Sequence, residues 1–379
     1  MAAVEPASVA LGTSRGRETE LSKLTMRWTV LASDVLVFFP AALALARLAP
    51  VTSGRPSKEL TVLVNLLLSP ALILIDHGHF QYNCINLGLA VAATALALRG
   101  RLLIAAFFFV AALSHKQMLL FYSPAFFAYM LGLALRRPTW PGKISLFGKL
   151  AGTVIASFAA LWAPFIGSST HLLAVLGRIF PSSRGLFEDY VANFWCVSSL
   201  AIKWRRLLSQ RQLLALCALC TLAAFLPALC CTLARPSRRA LLLALANASL
   251  AFFLFSYQVH EKSVLVPLVA LGTLGDRDLS RLAQFAAVFS MLPLLRKDGL
   301  ALAALASCLA YAGALELVGN GGQGRNAPFR VLPQSARFPF LEDAAIVSWS
   351  AAAFFLLFLA TNRLQWLEYR HAALHPKHL

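Results

Sequence analysis

The sequence predicts an all-α membrane protein, a polytopic bundle of about eleven or twelve spanning helices. Two features of its composition support this class: 59% of its 379 residues are hydrophobic, and its mean hydropathy is +0.70. Charged residues make up only 13% of the chain, roughly half the fraction found in an average soluble domain. The third observation is that these charged residues gather in short loops between long apolar runs.

Basic residues dominate those loops. Lysine and arginine outnumber aspartate and glutamate by 34 to 16, for a formal net charge of +18. Such a charge can indicate nucleic-acid binding, but clustering on one side of the apolar runs is instead the positive-inside pattern of membrane proteins. We therefore expect anionic membrane lipids as partners, and no nucleic acid. The loop residues predicted to be cytoplasmic are Arg55, Lys58, Arg99, Arg101, Arg136, Arg137, Lys143, Arg235, Arg238, Arg239, Arg277 and Arg281.

The first elements are a polar segment, residues 1–25, and an apolar run over about 26–49 that Asp34 and Pro40 interrupt. Three hairpins share one plan, with apolar limbs on either side of a polar tip, and they cover residues 60–98, 102–135 and 241–274. Each has about 34 to 39 residues, or about 51 to 59 Å as helix, barely enough to cross a hydrocarbon core of about 30 Å twice. The tips should therefore lie near the membrane surface or in a cavity below it.

The polar tips are the candidate functional segments. The first runs from Asp76 to Asn83, and on one continuous helix its Asp76, His79 and Asn83, together with Asn86, would form a stripe that could line a cavity. Ionisable groups near membrane depth usually face water, a partner or a substrate. The alternative is a solvated loop between two spans. Since the basic loops lie at the open ends of the hairpins, all three tips are predicted to share the opposite face, which is lumenal in an endomembrane.

The remaining runs complete the bundle, which we place at residues 26–318. Residues 145–167 and 213–234 read as spans, and the connection 168–212 is predicted to hold an amphipathic or re-entrant helix. A span over 191–202 is the alternative, but it would invert the third hairpin. A further pair, 282–295 and 300–318, precedes a Gly-rich linker at 319–344 and then a last span with a basic tail at 345–379.

The motifs leave few kinds of chemistry open. The sequence has no nucleotide-binding, protease or metal-ligand spacing, so we expect no cofactor and no metal. What remains is a set of His, Lys, Arg, Gln, Asp and Glu residues at the ends of spans, which can bind phosphate through cations and sugar through carboxylates and amides. A transferase using lipid-linked substrates fits this set. A transporter of a polar substrate or a lipid-linked sugar is the second class, although it favours charges near the bilayer midplane.

Six motifs resemble the endoplasmic-reticulum glucosyltransferases of dolichol-linked oligosaccharide assembly, which are GT-C membrane glycosyltransferases. The motifs are Asp76 to Asn83, Lys116 to Met118, Arg178 to Pro181, Arg184 to Asp189, Val191 to Cys196, and Val259 to Ser263. The motifs at Asp76 to Asn83 and at Val259 to Ser263 are shared by the enzyme that adds the first glucose and the enzyme that adds the second. Lys116 to Met118 and the run from Arg184 to Cys196 resemble the enzyme that adds the first glucose. The match covers roughly residues 11 to 300, in order.

The resemblance implies a hexosyltransferase of N-glycan precursor assembly in the endoplasmic-reticulum membrane, with its active face lumenal. It would transfer glucose from dolichyl-phosphate glucose, in α-1,3 linkage and with inversion, to the nine-mannose dolichyl-diphosphate-linked oligosaccharide. In the family the general base is an acid in the first lumenal loop, and this sequence begins near the end of that loop. We therefore expect an N-terminally truncated and catalytically impaired form, with the related second-glucose transferase as an alternative.

The resemblance also implies the site residues. Lys116, Arg184, His260 and Lys262 are expected near the donor phosphate, and Glu188 and Asp189 are the remaining candidates for a catalytic carboxylate near sugar hydroxyls. The full expected substrate-binding set is Asp76, His77, His79, Gln81, Tyr82, Lys116, Gln117, Arg178, Arg184, His260, Glu261 and Lys262.

Overall fold

The computed structural model describes residues 5–9, 19–49, 58–166, 190–318 and 341–374, together with Leu173, Leu176 and Leu186. Within these residues, eight helices are long and apolar enough to cross a membrane, and two further apolar helices, Asn83–Leu98 and Leu102–His115, are shorter. The prediction of an all-α polytopic bundle is confirmed. The predicted linker at 319–344 lies outside the described residues except for its last four positions, where a helix begins.

The helices follow one another in the order α1 (Glu20–Ala46), α2 (Lys58–Phe80), α3 (Asn83–Leu98), α4 (Leu102–His115), α5 (Gln117–Leu135), α6 (Trp140–Ile166), α7 (Phe194–Ser198), α8 (Trp204–Leu207), α9 (Gln210–Ala234), α10 (Arg238–Phe255), α11 (Leu265–Thr273), α12 (Arg277–Ser290), α13 (Leu292–Lys297), α14 (Ala301–Val318) and α15 (Leu341–Leu374).

The first span, α1, begins earlier than predicted because Thr19 caps it. The Thr19 hydroxyl accepts a hydrogen bond from the Ser22 backbone N–H at 3.0 Å and so satisfies one of the free donors of the first turn. Midway, a π turn runs over Asp34–Phe38 and ends two residues before Pro40, which has no N–H to donate. The two residues that interrupted the apolar pattern therefore mark a real irregularity in the helix.

All three predicted hairpins are present, and their tips lie together at one end of the bundle. The Lys116 ammonium of the second tip donates to Asn83 Oδ1 of the first at 2.5 Å. The Tyr122 hydroxyl then joins the second hairpin to the third by donating to the Val266 carbonyl at 2.7 Å. These contacts bring the polar tips into one region although they are up to about 180 residues apart in the chain.

The predicted basic loops meet at the opposite end. Arg136, after α5, donates to the Ala234 carbonyl at 2.6 Å, where α9 ends. Arg235 donates to the Ala372 carbonyl of α15 at 2.8 Å. Arginine donors thus satisfy carbonyls that the last turn of each helix leaves without an intrahelical partner. The basic loops around Arg136 and Arg235 therefore contact neighbouring helices at the end of the bundle opposite the polar tips.

The central helix is α10, and 78% of its residues are buried inside the bundle. It packs against α9, α11 and α15, and Asn247 on α10 exchanges hydrogen bonds with Thr361 on α15 at 2.7 and 3.3 Å. Small residues allow other helices to approach closely: a Cβ on Gly88 of α3 would lie 3.0 Å from the Phe38 Cα of α1. Hydrogen bonds between helices and close packing at small residues are both typical of helix association in a membrane.

The connection before α9 differs from a spanning helix. Its described part holds only the short helices α7 and α8, of five and four residues, so the alternative span over 191–202 is excluded. The Trp195 indole of α7 donates to the Phe255 carbonyl at 2.7 Å, which fixes this segment against the end of α10. Two predicted spans also prove short, since α11 has nine residues and α12 has fourteen.

Candidate functional site

The first tip is built around the buried carboxylate of Asp76. Its Oδ1 accepts from Asn83 Nδ2 at 2.6 Å, and its Oδ2 accepts from the Cys84 backbone N–H at 2.7 Å. Asp76 therefore caps α3 from the preceding helix, where a negative charge also complements the helix dipole, while the residue before α3, Tyr82, provides no side-chain cap.

The predicted polar stripe on one continuous helix is wrong. The chain ends α2 at Phe80, turns through extended Gln81, and begins α3 at Asn83, so Asp76 and Asn83 meet across a chain reversal. The solvated-loop alternative is wrong too, because Asp76 is only 1% exposed. Phe80 adopts φ of 72°, a left-handed conformation that is uncommon without glycine and concentrates at functional sites.

Lys116 joins the three tips. Its ammonium donates to Asn83 Oδ1 at 2.5 Å and to Gln81 Oε1 at 3.2 Å, both in the first tip. Burial lowers the pKa of Lys116, the Asp76 carboxylate opposes that change, and the neighbouring Lys262 ammonium of the third tip lowers the pKa further. The Lys116 and Lys262 ammonium groups therefore interact electrostatically, and Lys116 also interacts with the Asp76 carboxylate.

Glu261 belongs to the third tip and is 7% exposed. Its Oε1 lies 3.8 Å from the Lys262 ammonium, and its Oε2 is buried without a hydrogen-bond partner among the described residues. A buried carboxylate oxygen without a partner costs free energy, unless a bound group donates to it. Glu261 is therefore placed to accept a hydrogen bond from a ligand. Its neighbour His260 is half-buried at the same tip.

The two histidines of the first tip fasten it to other helices. His77 Nε2 lies 2.7 Å from Asp34 Oδ2 at the π turn of α1. His79 Nδ1 lies 2.6 Å from Asp298 Oδ2, after α13. These pairs hold the tip on both sides, so their histidines have a structural role whatever they bind.

Other predicted residues vary in their placement. The Tyr82 hydroxyl forms a hydrogen bond of 2.7 Å with Thr29 Oγ1, and Gln117 is exposed at the start of α5. The remaining predicted residues, Arg178, Arg184, Glu188 and Asp189, lie outside the described residues.

Three residues that contribute to the cluster were not among the predicted site residues: Asp34, Asn83 and Asp298. Asp34 had a signal in the sequence, as a lone acid within the first apolar run, and Asn83 ended the first motif. Their partners are 43 and 33 residues away in the chain, so the pairing itself was not readable from spacing.

The arrangement suits an anionic ligand that also carries hydroxyl groups. A phosphoryl group beside Lys116 and Lys262 would relieve the repulsion between two neighbouring ammonium groups and gain charge-assisted hydrogen bonds. Gln81 and Glu261 lie in the same tips and supply oxygen acceptors for hydroxyl donors. The cluster can therefore bind a phosphate and a sugar together.

Comparisons with known proteins agree with this chemistry. Residues 1–365 match the ALG6, ALG8 glycosyltransferase family. A relative from Arabidopsis thaliana, named a probable dolichyl pyrophosphate Man9GlcNAc2 alpha-1,3-glucosyltransferase, is 46% identical over 300 residues, which are 78% of this chain and 56% of the relative. The Gallus gallus protein named dolichyl pyrophosphate Man9GlcNAc2 alpha-1,3-glucosyltransferase is 41% identical over 310 residues, 81% of this chain and 61% of that protein.

The relative of that same name from Saccharomyces cerevisiae is 39% identical over 307 residues, 78% of this chain and 56% of the yeast protein. The chain thus spans somewhat more than half the length of these relatives. Because the family match covers nearly the whole chain and the fold is a membrane helical bundle, the chain belongs to the ALG6, ALG8 glycosyltransferase family.

Proposed function

We propose that the protein carrying this chain transfers glucose from dolichyl-phosphate glucose, in α-1,3 linkage, to the nine-mannose dolichyl-diphosphate-linked oligosaccharide. The relatives' names support the acceptor and the linkage. The observation that carries the proposal is the position of the Lys116 ammonium, which hydrogen-bonds to Gln81 and Asn83 of the first tip and is close enough to Lys262 of the third tip to interact with it electrostatically. A glycosyl phosphate needs both kinds of group in one place.

In the proposed step, the acceptor hydroxyl oxygen bonds to the anomeric carbon of glucose on the face opposite the phosphate. The bond from that carbon to the phosphate oxygen breaks, and dolichyl phosphate leaves with the electron pair. Charge therefore develops on the phosphate as the bond lengthens, and Lys116 and Lys262 stabilise it there. The hydroxyl proton passes to a carboxylate acting as general base.

We assign the carboxylates of the described tips to supporting roles. Both Asp76 oxygens already accept hydrogen bonds within the fold, so Asp76 shapes the site rather than taking a proton. Glu261 has one unpaired oxygen and is proposed to bind a sugar hydroxyl. Glu188 and Asp189 stay our candidates for the base.

We also propose that the protein lies in the endoplasmic-reticulum membrane with its tips on the lumenal face. The basic loops at the other end support this orientation, since they are expected on the cytoplasmic side. The lipid-linked donor and acceptor and the membrane lipids would be its partners. A transporter is less well supported, because Lys116 and the residues that it contacts lie at the ends of spans, whereas a transporter favours charges near the bilayer midplane.

The test is transfer of radiolabelled glucose from dolichyl-phosphate glucose to the lipid-linked nine-mannose oligosaccharide, in membranes from cells that lack this activity and express the protein. We expect transfer that persists in a metal chelator, because the Asp-x-Asp pair in the sequence, Asp276 and Asp278, lies in a loop predicted to be opposite the tips, where Asp276 caps α12. Uptake of labelled sugar into vesicles without new glycolipid would contradict the proposal and favour transport. Transfer to an acceptor that already carries one glucose would indicate the second-glucose reaction.

A further inference from the structure

A cavity of about 400 Å³ lies apart from the tip cluster, between the connection that precedes α9 and the first turns of α15. Most of its wall is apolar, contributed by α7 and by residues around it. Its lining residues are Leu186, Tyr190, Cys196, Val197, Ser199, Leu200, Lys203, Trp204, Arg205, Arg206, Ala344 and Val347.

The charges of this cavity all have one sign. Lys203, Arg205 and Arg206 are exposed and line it together, and its described lining includes no aspartate, glutamate or histidine. Arginine binds phosphoryl oxygens through a planar fork of donors, and two arginines with a lysine complement a doubly charged group. The cavity can therefore hold a phosphate group and an apolar chain, but its described lining offers no carboxylate or imidazole as a general base.

The cavity lies at the same end of the bundle as the tips. The Gln258 backbone N–H of the third hairpin donates to the Leu186 carbonyl at 3.0 Å, and Tyr257 packs on the cluster around Leu186. Trp204 stands edge-to-face against Trp195, with ring centroids 5.5 Å apart. Tryptophan and tyrosine are enriched where hydrocarbon meets headgroups, which is the depth at which a lipid phosphate lies.

We propose that this cavity binds the diphosphate of the acceptor lipid, with the first part of the polyprenyl chain against its apolar wall. The inference rests on the proposed function. The donor phosphate is the leaving group, so it must lie at the reaction centre. The acceptor diphosphate is separated from the reacting hydroxyl by the length of the oligosaccharide, so it must be held elsewhere on the same face. A cationic cavity whose described lining has no carboxylate or imidazole meets that second requirement.

The kinetic test compares Arg205→Gln/Arg206→Gln with Arg211→Gln, an exposed arginine of α9 that does not line the cavity. We expect the KM for the lipid-linked acceptor to rise about tenfold or more in the double variant, since two charge-assisted contacts are lost. In the double variant, kcat and the KM for dolichyl-phosphate glucose should stay at their wild-type values. In the Arg211→Gln control, all three quantities should stay at their wild-type values. A rise in the donor KM, or an unchanged acceptor KM, would overturn the assignment.

A binding test separates this proposal from the proposed function. A photoactivatable polyprenyl diphosphate, incubated with the full chain in phosphatidylcholine vesicles, should label peptides within residues 190–211. Labelling should be weaker in the double variant. Unlabelled polyprenyl diphosphate should compete with the probe far better than phosphatidylglycerol does. Equal displacement by phosphatidylglycerol would show an ordinary anionic-lipid site and refute the proposal. Labelling would sustain the site even if the protein carrying this chain transferred no glucose, an outcome that would contradict the proposed function instead.

Discussion

Replacing Lys116 with methionine tests the tip cluster most directly. The side chain keeps an apolar stem of similar length but loses the ammonium that donates at 2.5 Å to Asn83 and at 3.2 Å to Gln81. Removing a donor aimed at developing charge typically costs about 2 to 4 kcal/mol in the transition state. That corresponds to a fall of about 30-fold to 1000-fold in kcat/KM.

The loss of stability should be smaller than the loss of activity. Gln81 is half-buried and can bond to water instead, whereas the buried Asn83 loses a donor, so we expect the free energy of unfolding to fall by about 1 to 3 kcal/mol. The assay is the initial rate of glucose transfer from labelled dolichyl-phosphate glucose, with unfolding followed in the same detergent. Lys149→Met on the exposed face of α6 is the matched control and should change neither quantity.

The same assignment of Lys116 also predicts how donor affinity changes with pH. Phosphate binding needs the charged ammonium, and burial lowers the pKa of Lys116 below its usual 10.5. Affinity for the donor should therefore fall on the alkaline side at a lower pH than an ordinary lysine would produce. Lys116→Arg should abolish this loss of affinity at alkaline pH, because arginine stays charged over the whole pH range of the assay. A methionine variant with unchanged kcat/KM, or an arginine variant with the same loss of affinity at alkaline pH, would refute the assignment.

Three other predictions concern the fold. Asp76→Ala removes the acceptor of the Cys84 N–H and the shorter of two hydrogen bonds donated by Asn83 Nδ2, so the free energy of unfolding measured in detergent should fall by about 2 to 5 kcal/mol. The exposed control Asp278→Ala should have little effect, and equal losses would contradict the capping role. Gly132→Leu should destabilise by about 1 to 3 kcal/mol, because a Cβ there would lie 2.7 Å from the Leu233 carbonyl oxygen, and an unchanged melting temperature would count against that contact. Finally, single cysteines replacing His260 and Arg238 should react with an impermeant thiol reagent from opposite sides of sealed microsomes, and labelling from the same side would rule out the topology.

The helices and hairpins were predictable because their signals are local. A run of apolar residues, such as 102–135, must be covered by lipid or by other helices, and the polar residues within it mark the turn. The second hairpin accordingly turns at Lys116, and the third turns before α11. Span lengths were less predictable, since α11 ends after nine residues, where Gly272 packs against Asn65.

The sequence predicted several residues of the candidate site but not the hydrogen bonds that they form. The motifs marked Asp76, Gln81, Lys116 and Glu261 as chemically unusual, because ionisable and amide groups rarely occur between apolar runs without a role. Nothing in the sequence indicated that Asp76 would cap α3 rather than face a cavity. That choice depends on the chain reversal at Gln81, where the backbone is extended.

The sequence by itself therefore determined the class of protein, the order of its spans, the separation of basic loops from polar tips, and the family motifs. The tertiary structure decided which tips touch, which carboxylate is used internally, and where a second cationic cavity lies. Hydropathy and charge act on each residue through solvent and membrane, so they can be read one segment at a time. Hydrogen bonds such as Lys116 to Asn83 and His77 to Asp34 require angstrom-level alignment of separate helices, which only the packed bundle provides.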